Sequence, residues 1–449
     1  MAIGGENGPH NNGEPNGADG HIRYIPLSYD SAKSQESALR LVLAIRPDWA
    51  GPDSNVEFVR FTDGITNTLL KAVNKRPGLA KEEVDKEAIL LRAYGHGTDL
   101  IIDRHRETQN HELLMRHGLA PELLARFENG MMYRFIRGTV THPEDLRKPA
   151  IYKAVARRLA EWHARVPCIA GHTGHSRRDS KVDGRPAAPQ ALDSNLGDAE
   201  FQQVLDGVAP GKPPPNVWTV MQKWIFALPT DTEAQRARQA ALQQELKSLI
   251  SDLSQRPGLG VNGLVFAHCD LLSGNVIVLP QTAPTANGDD SKGAEATTTT
   301  TPTVAFIDYE YATPSPAAFD IANHFAEWGG FDCDYSVLPT RAQRRDFIAE
   351  YVRTYFSLLP DKETAAPVDE AAETEKLLVE VDHFRGVPGF YWGIWALIQA
   401  TISEIDFDYA SYAETRLGEY YAWKAEVTGE RQREAREMPL REKRWAQLE

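Results

Sequence analysis

The sequence predicts an α+β protein with a small β-rich N-terminal part and a larger, mostly helical C-terminal part. In the first part, strand-like runs cover residues 56–70 and 88–92, and Asn129-Gly130 is a pair suited to a tight hairpin turn. After residue 139, apolar side chains recur at three- and four-residue spacing, as in Ile151, Val155 and Leu159, which is typical of amphipathic helices. With 449 residues, the chain is long enough for two domains.

The N-terminal part is predicted to cover residues 21–138. Residues 1–20 precede it and are rich in Gly, Asn, Glu and Pro, so we expect a disordered tail. A short extended piece and a helix with Leu41 and Val42 on its apolar face lead to about residue 47. The first strand-like run turns at Gly64. The remaining elements are a helix at 104–117 and hairpin strands at 125–127 and 132–136.

The C-terminal part is predicted to cover residues 139–449. Its helices are expected at 149–165, twice within 218–253 with a break at Pro229, and at 317–328, 341–357, 369–384, 389–403 and 409–424. The residues after 424 form a charged tail, helical or frayed. Two low-complexity insertions, 170–216 and 281–303, interrupt this part. We expect the second, which is rich in Thr, at a hairpin tip, because surface loop insertions cost little stability.

Composition and charge exclude several classes of protein. The net charge of −14 argues against nucleic acid as a partner, since such proteins favour a basic surface. The three cysteines, Cys168, Cys269 and Cys333, form neither a disulfide framework nor a zinc pattern. The sequence contains no run near the ~20 apolar residues of a membrane helix. The polar start has no signal-peptide core, so we expect a cytoplasmic protein without a membrane span.

The chemical signal lies in two short segments that flank apolar strands. His268-Cys269-Asp270 opens the first segment, Asn275 closes it, and the second is Ile307-Asp308-Tyr309-Glu310-Tyr311. Phosphoryl transfer from ATP needs a carboxylate that accepts a proton from the substrate hydroxyl, and oxygen ligands that hold magnesium on the phosphates. Asp270 suits the first role, and Asn275 and Asp308 suit the second. The strand after Asn275 and the strand before Asp308 can pair as a hairpin, which predicts an ATP-dependent phosphotransferase site at this hairpin.

These segments and several others resemble the choline/ethanolamine kinase family, which has a two-lobed protein-kinase-like fold. The likeness runs from about residue 38 to 423, apart from the two insertions. Its other specific motifs are Phe61-Thr62-Asp63-Gly64-Ile65-Thr66-Asn67, Leu90-Leu91-Arg92-Ala93-Tyr94-Gly95, His117-Gly118-Leu119-Ala120-Pro121, Phe319-Asp320-Ile321-Ala322-Asn323-His324-Phe325 and the run from Tyr391 to Ala400. Phe61 to Gly64 and Tyr133 to Gly138 look more like the ethanolamine kinases than the choline kinases.

The resemblance implies an ATP site in the β-rich lobe. Gly64 and Asn67 match the loop that covers the phosphates, where a glycine allows close backbone approach. Arg92 matches the basic residue that contacts the phosphates, and Glu107 is its expected ion-pair partner. Asp103 and Glu112 lie near Glu107 in the sequence and could replace it as the partner. The hinge strand that binds adenine through its backbone is implied for Tyr133 to Phe135.

The resemblance also implies an acceptor pocket for an ammonium group. Its predicted lining is Glu310, Tyr311, Glu327, Trp392, Trp395, Phe407 and Tyr412. His268 and Asp320 are expected to support the catalytic loop, the segment from His268 to Asn275, and Mg²⁺ is the expected cofactor. Family members commonly have Asn where this chain has Cys269, so one contact of the loop is expected to differ. A homodimer is also implied.

Three alternatives stay open. The pocket combines acids with aromatic rings that attract cations, so local chemistry does not separate ethanolamine from choline or a dual specificity. A kinase for an aminoglycoside or another small alcohol would keep the catalytic residues, although the paired tryptophans speak against it. The alternative from another functional class is a scaffold that binds nucleotide without turnover. Such a protein has no chemical need for all three site residues, Asp270, Asn275 and Asp308, and their presence argues against it.

Overall fold

The structure is a computed structural model that describes residues 22–61, 67–95, 101–168, 208–209, 212–281, 301–359, 367–403 and 405–449. The predicted tail at 1–20, the turn at Gly64 and most of the two predicted insertions lie outside the described residues. The chain divides into two compact units. One contains the residues up to Tyr94 together with Glu122–Phe135, and the other contains Gly95–Pro121 together with Ile136–Glu449.

The first unit is built on a sheet with six strands among the described residues. The strands are β1 (Tyr24–Ile25), β2 (Val56–Phe61), β3 (Asn67–Asn74), β4 (Ile89–Tyr94), β5 (Leu123–Phe127) and β6 (Gly130–Arg134), in the order β1-β5-β6-β4-β3-β2. Its helices are α1 (Ser34–Ile45) and α2 (Lys81–Glu87). Leu41 and Val42 of α1 pack with Leu70, Leu91 and other buried residues of the sheet. The apolar face predicted for α1 therefore forms part of the core of this unit.

The second unit is mostly helical. Its helices are α3 (Arg104–Arg116), α4 (Pro149–Arg165), α5 (Val217–Phe226), α6 (Glu233–Leu253), α7 (Ala317–Ala326), α8 (Arg341–Leu358), α9 (Glu370–Phe384), α10 (Val387–Ile402), α11 (Tyr409–Val427), α12 (Glu430–Arg433) and α13 (Leu440–Ala446). Its strands are β7 (Thr139–Val140), β8 (Val265–Ala267), β9 (Val276–Val278), β10 (Val304–Phe306) and β11 (Thr313–Ser315). β9 pairs antiparallel with both β10 and β7, and β8 pairs antiparallel with β11.

The hairpin of β9 and β10 lies against α4. Trp162 of α4 is fully buried, and its ring lies 6.0 Å from the ring of Phe306 on β10 and 5.4 Å from that of His268. The predicted helix at 149–165 is thus confirmed, and its apolar stripe supports the segment that carries the chemical signal.

Helix α10 packs against α5, α7 and α11, and most of its residues are apolar and buried. Two glycines allow the close approach of α11. A Cβ atom at Gly389 would lie 2.5 Å from the carbonyl oxygen of Arg416, and one at Gly393 would lie 2.7 Å from Cγ of Leu417. Small residues at these two positions therefore bring α11 close to the helix that carries Trp392 and Trp395.

The structure adds elements that the sequence pattern did not reveal, namely α2, β7, β8 and β11. It also shows that the C-terminal residues are packed. Trp445 of α13 is buried, and its Nε1 donates to Oδ1 of Asp382 at 2.7 Å. In the described part of the chain, no helix is both long and apolar enough to cross a membrane.

Candidate active site

The two segments singled out by the sequence meet at the β9–β10 hairpin. Asn275 directly precedes β9, and Asp308 lies two residues after the end of β10. The register pairs Val276 with Phe306, and the amide of Ile307 donates to the carbonyl of Asn275 at 3.1 Å. This antiparallel pairing places the backbone of Asn275 next to the residue that precedes Asp308.

The side chain of Asn275 is fixed by Asp270. Its Nδ2 donates to the carbonyl oxygen of Asp270 at 2.8 Å and to the carboxylate Oδ2 at 3.1 Å. No donor among the described residues reaches Oδ1 of Asn275, so this oxygen remains able to ligate a cation. An amide oxygen on a segment whose backbone pairs with the residue before Asp308 fits the preference of Mg²⁺ for oxygen ligands.

Asp270 lies in a buried and acidic environment. Burial, followed by the negative charges of Asp308, Glu327 and Glu310, raises its pKa well above the ordinary range of an aspartate. A carboxylate with a raised pKa is a stronger base than a solvated one. The structure therefore brings three other predicted site acids within electrostatic range of Asp270.

The backbone of the site includes two residues in the left-handed region. Cys269 has φ of 64° and Asp308 has φ of 66°. This conformation is uncommon for residues other than Gly, although Asn and Asp adopt it more readily than most. Cys269 is buried, and its Sγ lies 3.4 Å from Oγ of Ser315. Strain of this kind persists where the surroundings hold the backbone, which the contacts of the catalytic loop do here.

His268 supports the loop from one side. The amide of Asp270 donates to Nδ1 at 3.3 Å, so the proton of the ring lies on Nε2, which donates to the carbonyl of Ile307 at 3.0 Å. Burial lowers the pKa of His268 to about 4. The neutral ring links the Asp270 segment to the Asp308 segment, as expected for a supporting residue.

Asp320 of α7 supports the loop from the other side. Its carboxylate accepts the backbone amides of His268 at 2.9 Å and Cys269 at 2.8 Å, and it also accepts Nε2 of His163 at 3.0 Å. Although burial acts in the opposite direction, the hydrogen bonds from the ring of His163 and from the backbone amide of His268 hold the pKa of Asp320 below its ordinary value. His163 is held in turn by the hydroxyl of Tyr351, 2.8 Å from Nδ1.

Two further side chains of α7 complete this support. Nδ2 of Asn323 donates to the carbonyl of Cys269 at 2.9 Å, and Nδ1 of His324 donates to the carbonyl of Leu271 at 2.8 Å. Burial lowers the pKa of His324 to about 4. The polar side chains Asp320, Asn323 and His324 of α7 are thus all buried, and each makes a hydrogen bond to the backbone of the catalytic loop.

Lowering the pH from 7.5 to 5.0 is expected to remove the contribution of two buried histidines, His268 and His324, to stability. His268 and His324 have folded pKa values near 4, whereas the unfolded value is about 6.5. Their contribution to stability is therefore complete above pH 6.5 and is lost as the pH falls towards 4, by about 2 kcal/mol per histidine at pH 5. Urea denaturation at the two pH values tests this. On going from pH 7.5 to 5.0, His324→Gln should lose about 2 kcal/mol less stability than the wild type, and the same change in both proteins would contradict the expectation.

The predicted acceptor residues on α10 join the same network. Nε1 of Trp392 donates to Oδ1 of Asn323 at 2.8 Å, and Nε1 of Trp395 donates to the hydroxyl of Tyr311 at 2.8 Å. The two tryptophan rings are 5.5 Å apart and nearly perpendicular. Trp392 is therefore connected through Asn323 to the backbone of the catalytic loop.

Phe407 and Tyr412 extend this aromatic group. The ring of Tyr409 lies 5.8 Å from Trp395 and 4.8 Å from Phe407, and Phe407 lies 5.6 Å from Tyr412. Phe407 is 40% exposed, whereas Tyr412 is buried. Tyr409 was not among the predicted residues, and its ring connects the two predicted pairs.

Glu310 and Glu107 meet at an arginine that the sequence analysis did not identify. Nη1 of Arg104 lies 2.9 Å from Oε2 of Glu107 and 3.2 Å from Oε2 of Glu310. Both acids are buried. The position of Arg104 in the first turn of α3, three residues before Glu107, was the available signal. The pairing of Glu107 with Arg92 stays a prediction.

The predicted ATP residues of the first unit lie on its sheet, except Gly64, which lies outside the described residues. Asn67 begins β3, Arg92 is buried on β4, and Tyr133 on β6 pairs with Leu90. Phe135 follows β6, and its amide donates to the carbonyl of Ala88 at 3.0 Å. The amide of Phe135 is thus engaged with the first unit's own backbone, and the contact of the Tyr133 to Phe135 backbone with adenine stays a prediction.

Comparison with known proteins agrees with this geometry. Residues 58–421 match the family model described as Choline/ethanolamine kinase. A protein named Probable ethanolamine kinase from Nematostella vectensis is 33% identical over 89% of this chain and 96% of its own length. Ethanolamine kinase 1 of Mus musculus is 31% identical over 89% of this chain and 92% of its own.

Among solved structures, the ethanolamine kinase of Plasmodium vivax matches with a TM-score of 0.60 and 24% identity, over 87% of this chain and 88% of that one. This likeness concerns the fold, and it confirms the predicted α+β, protein-kinase-like class. The family model covers most of the chain, including every described segment of the site. The chain therefore belongs to the choline/ethanolamine kinase family.

Proposed function

We propose that this protein transfers the γ-phosphoryl group of ATP to the hydroxyl group of ethanolamine and so makes phosphoethanolamine, the first step of phosphatidylethanolamine synthesis by the CDP-ethanolamine route. The observation that carries the proposal is the meeting of three side chains at one hairpin, the buried Asp270 and Asn275 and the half-buried Asp308. Asn323 connects the backbone before Asp270 to Trp392 of α10. The relatives named above are ethanolamine kinases, which supports the choice of acceptor.

Asp270 accepts the proton of the ethanolamine hydroxyl, or orients that hydroxyl for in-line attack on the γ-phosphorus. Its raised pKa suits it to this role, because the neighbouring acids make the protonated form less costly. Asp320 and His268 act through Asp270 by holding the backbone on either side of it.

Asn275 and Asp308 would hold Mg²⁺, which would neutralise the charge of the ATP phosphates. The amide oxygen of Asn275 is directed away from Asp270, because Nδ2 makes both hydrogen bonds to that residue. The donor set therefore fits a hard cation.

The acceptor pocket is proposed to lie among Glu327, Tyr311, Trp392 and Trp395, with Phe407 and Tyr412 at its side. Aromatic faces attract a cation by about 0.5–2 kcal/mol each, depending on desolvation. Buried carboxylates add charge-assisted hydrogen bonds that only an ammonium with N–H groups can use. Choline kinase activity, or dual activity, is the second candidate, because the rings alone suffice for a quaternary ammonium. A cytoplasmic location and a homodimer stay predictions.

Initial rates of ADP release test the proposal, with Mg-ATP and with ethanolamine, choline or an aminoglycoside as the acceptor. We expect kcat/KM for ethanolamine to exceed that for choline by at least about tenfold, which corresponds to about 1.4 kcal/mol in the transition state. Preference for choline would retain the mechanism and reassign the acceptor. Absence of acceptor-dependent turnover would favour a nucleotide-binding scaffold.

A further inference from the structure

Glu327 has one engaged and one open carboxylate oxygen. It follows the last residue of α7, and its side chain is 6% exposed. Oε1 accepts Nη2 of Arg416 at 3.3 Å. No residue that the structure describes donates to Oε2, although the side chain is buried, so this oxygen can accept a hydrogen bond from a bound molecule. The charge of Glu327 also contributes to the raised pKa of Asp270, so the Glu327 carboxylate is within electrostatic range of the proposed reaction centre.

Arg416 of α11 is shared between two acids. Its guanidinium is 1% exposed, and Nε lies 3.6 Å from Oε2 of Glu419, one turn further along the helix. Cζ lies 5.8 Å from the ring centre of Tyr412, a predicted acceptor residue, and Nη1 lies 3.9 Å from Sγ of Cys333. Two carboxylates compete for one planar cation, which prevents Arg416 from making a bidentate pair with Glu327.

The second acid is held from the C-terminal helix α13. Nε of Arg441 lies 3.7 Å from Oε2 of Glu419, and Nη1 of Arg441 lies 3.2 Å from Glu442. Arg385 donates to Glu442 at 2.8 Å and is the last residue of this row of charged side chains. Positive and negative side chains alternate along this buried row, and Glu419 thereby holds the guanidinium of Arg416 from the side opposite Glu327.

We propose that Arg416 is a positioning residue that gives the acceptor pocket its preference for a primary ammonium group, because it holds Oε1 of Glu327 and leaves Oε2 open. This inference rests on the proposed function, in which Glu327 contacts the acceptor. Ethanolamine can donate an N–H group to Oε2, whereas the quaternary ammonium of choline has no N–H group and gains only charge attraction and ring contacts.

Two substitutions disturb this arrangement in different ways. Arg416→Lys keeps the charge, but an ammonium lacks the planar fork that reaches both acids. Glu419→Gln removes the competing acid, so Arg416 can turn to a bidentate pair with Glu327 and cover Oε2. In both variants we expect the ratio of kcat/KM for ethanolamine to that for choline to fall at least fivefold, with the KM for ATP within about twofold of the wild type.

The matched control is Arg345→Lys. Arg345 pairs with Glu375 at 2.5 Å on the surface of the same unit, with both side chains about half exposed, and its substitution is expected to leave the ratio unchanged. Thermal melting shows whether Arg416→Lys and Glu419→Gln are folded. If one of them is not, the ratio measured for the other tests the proposal. An unchanged ratio in a folded variant, or an equal loss with both acceptors, would overturn the role of Arg416. A wild-type enzyme without turnover of ethanolamine would instead overturn the proposed function and this inference with it.

Discussion

Replacing Asp270 with asparagine is expected to lower kcat by roughly 10²–10⁴-fold, the usual contribution of a general base. The amide has nearly the same shape as the carboxylate, and its oxygen can still accept Nδ2 of Asn275. It cannot accept the proton of the acceptor hydroxyl. Because the loss falls on the chemical step, the KM for ATP should stay within a few-fold of the wild type. Steady-state rates of ADP release with Mg-ATP and ethanolamine measure both quantities.

The same substitution is expected to stabilise the protein. The pKa of Asp270 is raised by burial and by the charges of Asp308, Glu327 and Glu310, so its ionised form is unfavourable in the folded state at neutral pH. A neutral amide removes that cost, and the melting temperature should rise while turnover is lost. Asp252→Asn, on the exposed surface of α6, serves as a control and should change neither property. Turnover near the wild-type value in Asp270→Asn would contradict the assignment of Asp270 as the base.

The parts of the site that could be predicted are local in sequence. Asp270 and Asn275 belong to one short segment, and the strands that follow and precede the motifs explain how Asp308 comes near them. The ion pairs of Arg104 with Glu310 and of Arg416 with Glu327 join residues 206 and 89 positions apart. Such pairs depend on how helices pack, and arginines that make them resemble surface arginines in a sequence.

The elements of the fold that could be predicted are likewise those with a visible local sequence pattern. The periodicity of α4 predicted its limits at Pro149 and Arg165, because one apolar stripe faces a single neighbouring layer. The strands β8 and β11 have three residues each, which is too short for alternation to be visible, and their pairing joins Val265 to Ser315. Helix α2 has a single apolar residue, Val84, so no periodicity indicated it.

Asp320→Asn is expected to damage both stability and turnover, because Asp320 satisfies more donors than an amide can. The carboxylate accepts the amides of His268 and Cys269 and Nε2 of His163, and all these groups are buried. Asparagine has one acceptor oxygen, and its NH₂ group would face a donor, so at least one buried donor loses its partner. A buried donor without a partner, together with weaker hydrogen bonds to a neutral amide, should lower the free energy of unfolding by about 3 kcal/mol. Urea denaturation measures it.

Turnover should fall at least tenfold in the same variant, since the released amides are those directly before Asp270 and the loop can leave its strained conformation. Asp346→Asn provides the matched control. Asp346 is 43% exposed and accepts the hydroxyl of Tyr152 at 2.7 Å, a bond that an amide oxygen can keep, so its loss of stability should stay below about 1 kcal/mol. A loss of stability in Asp320→Asn as small as that in Asp346→Asn, with turnover of ethanolamine at the wild-type rate, would contradict this role of Asp320. The catalytic loop would then be held by His268, Asn323 and His324.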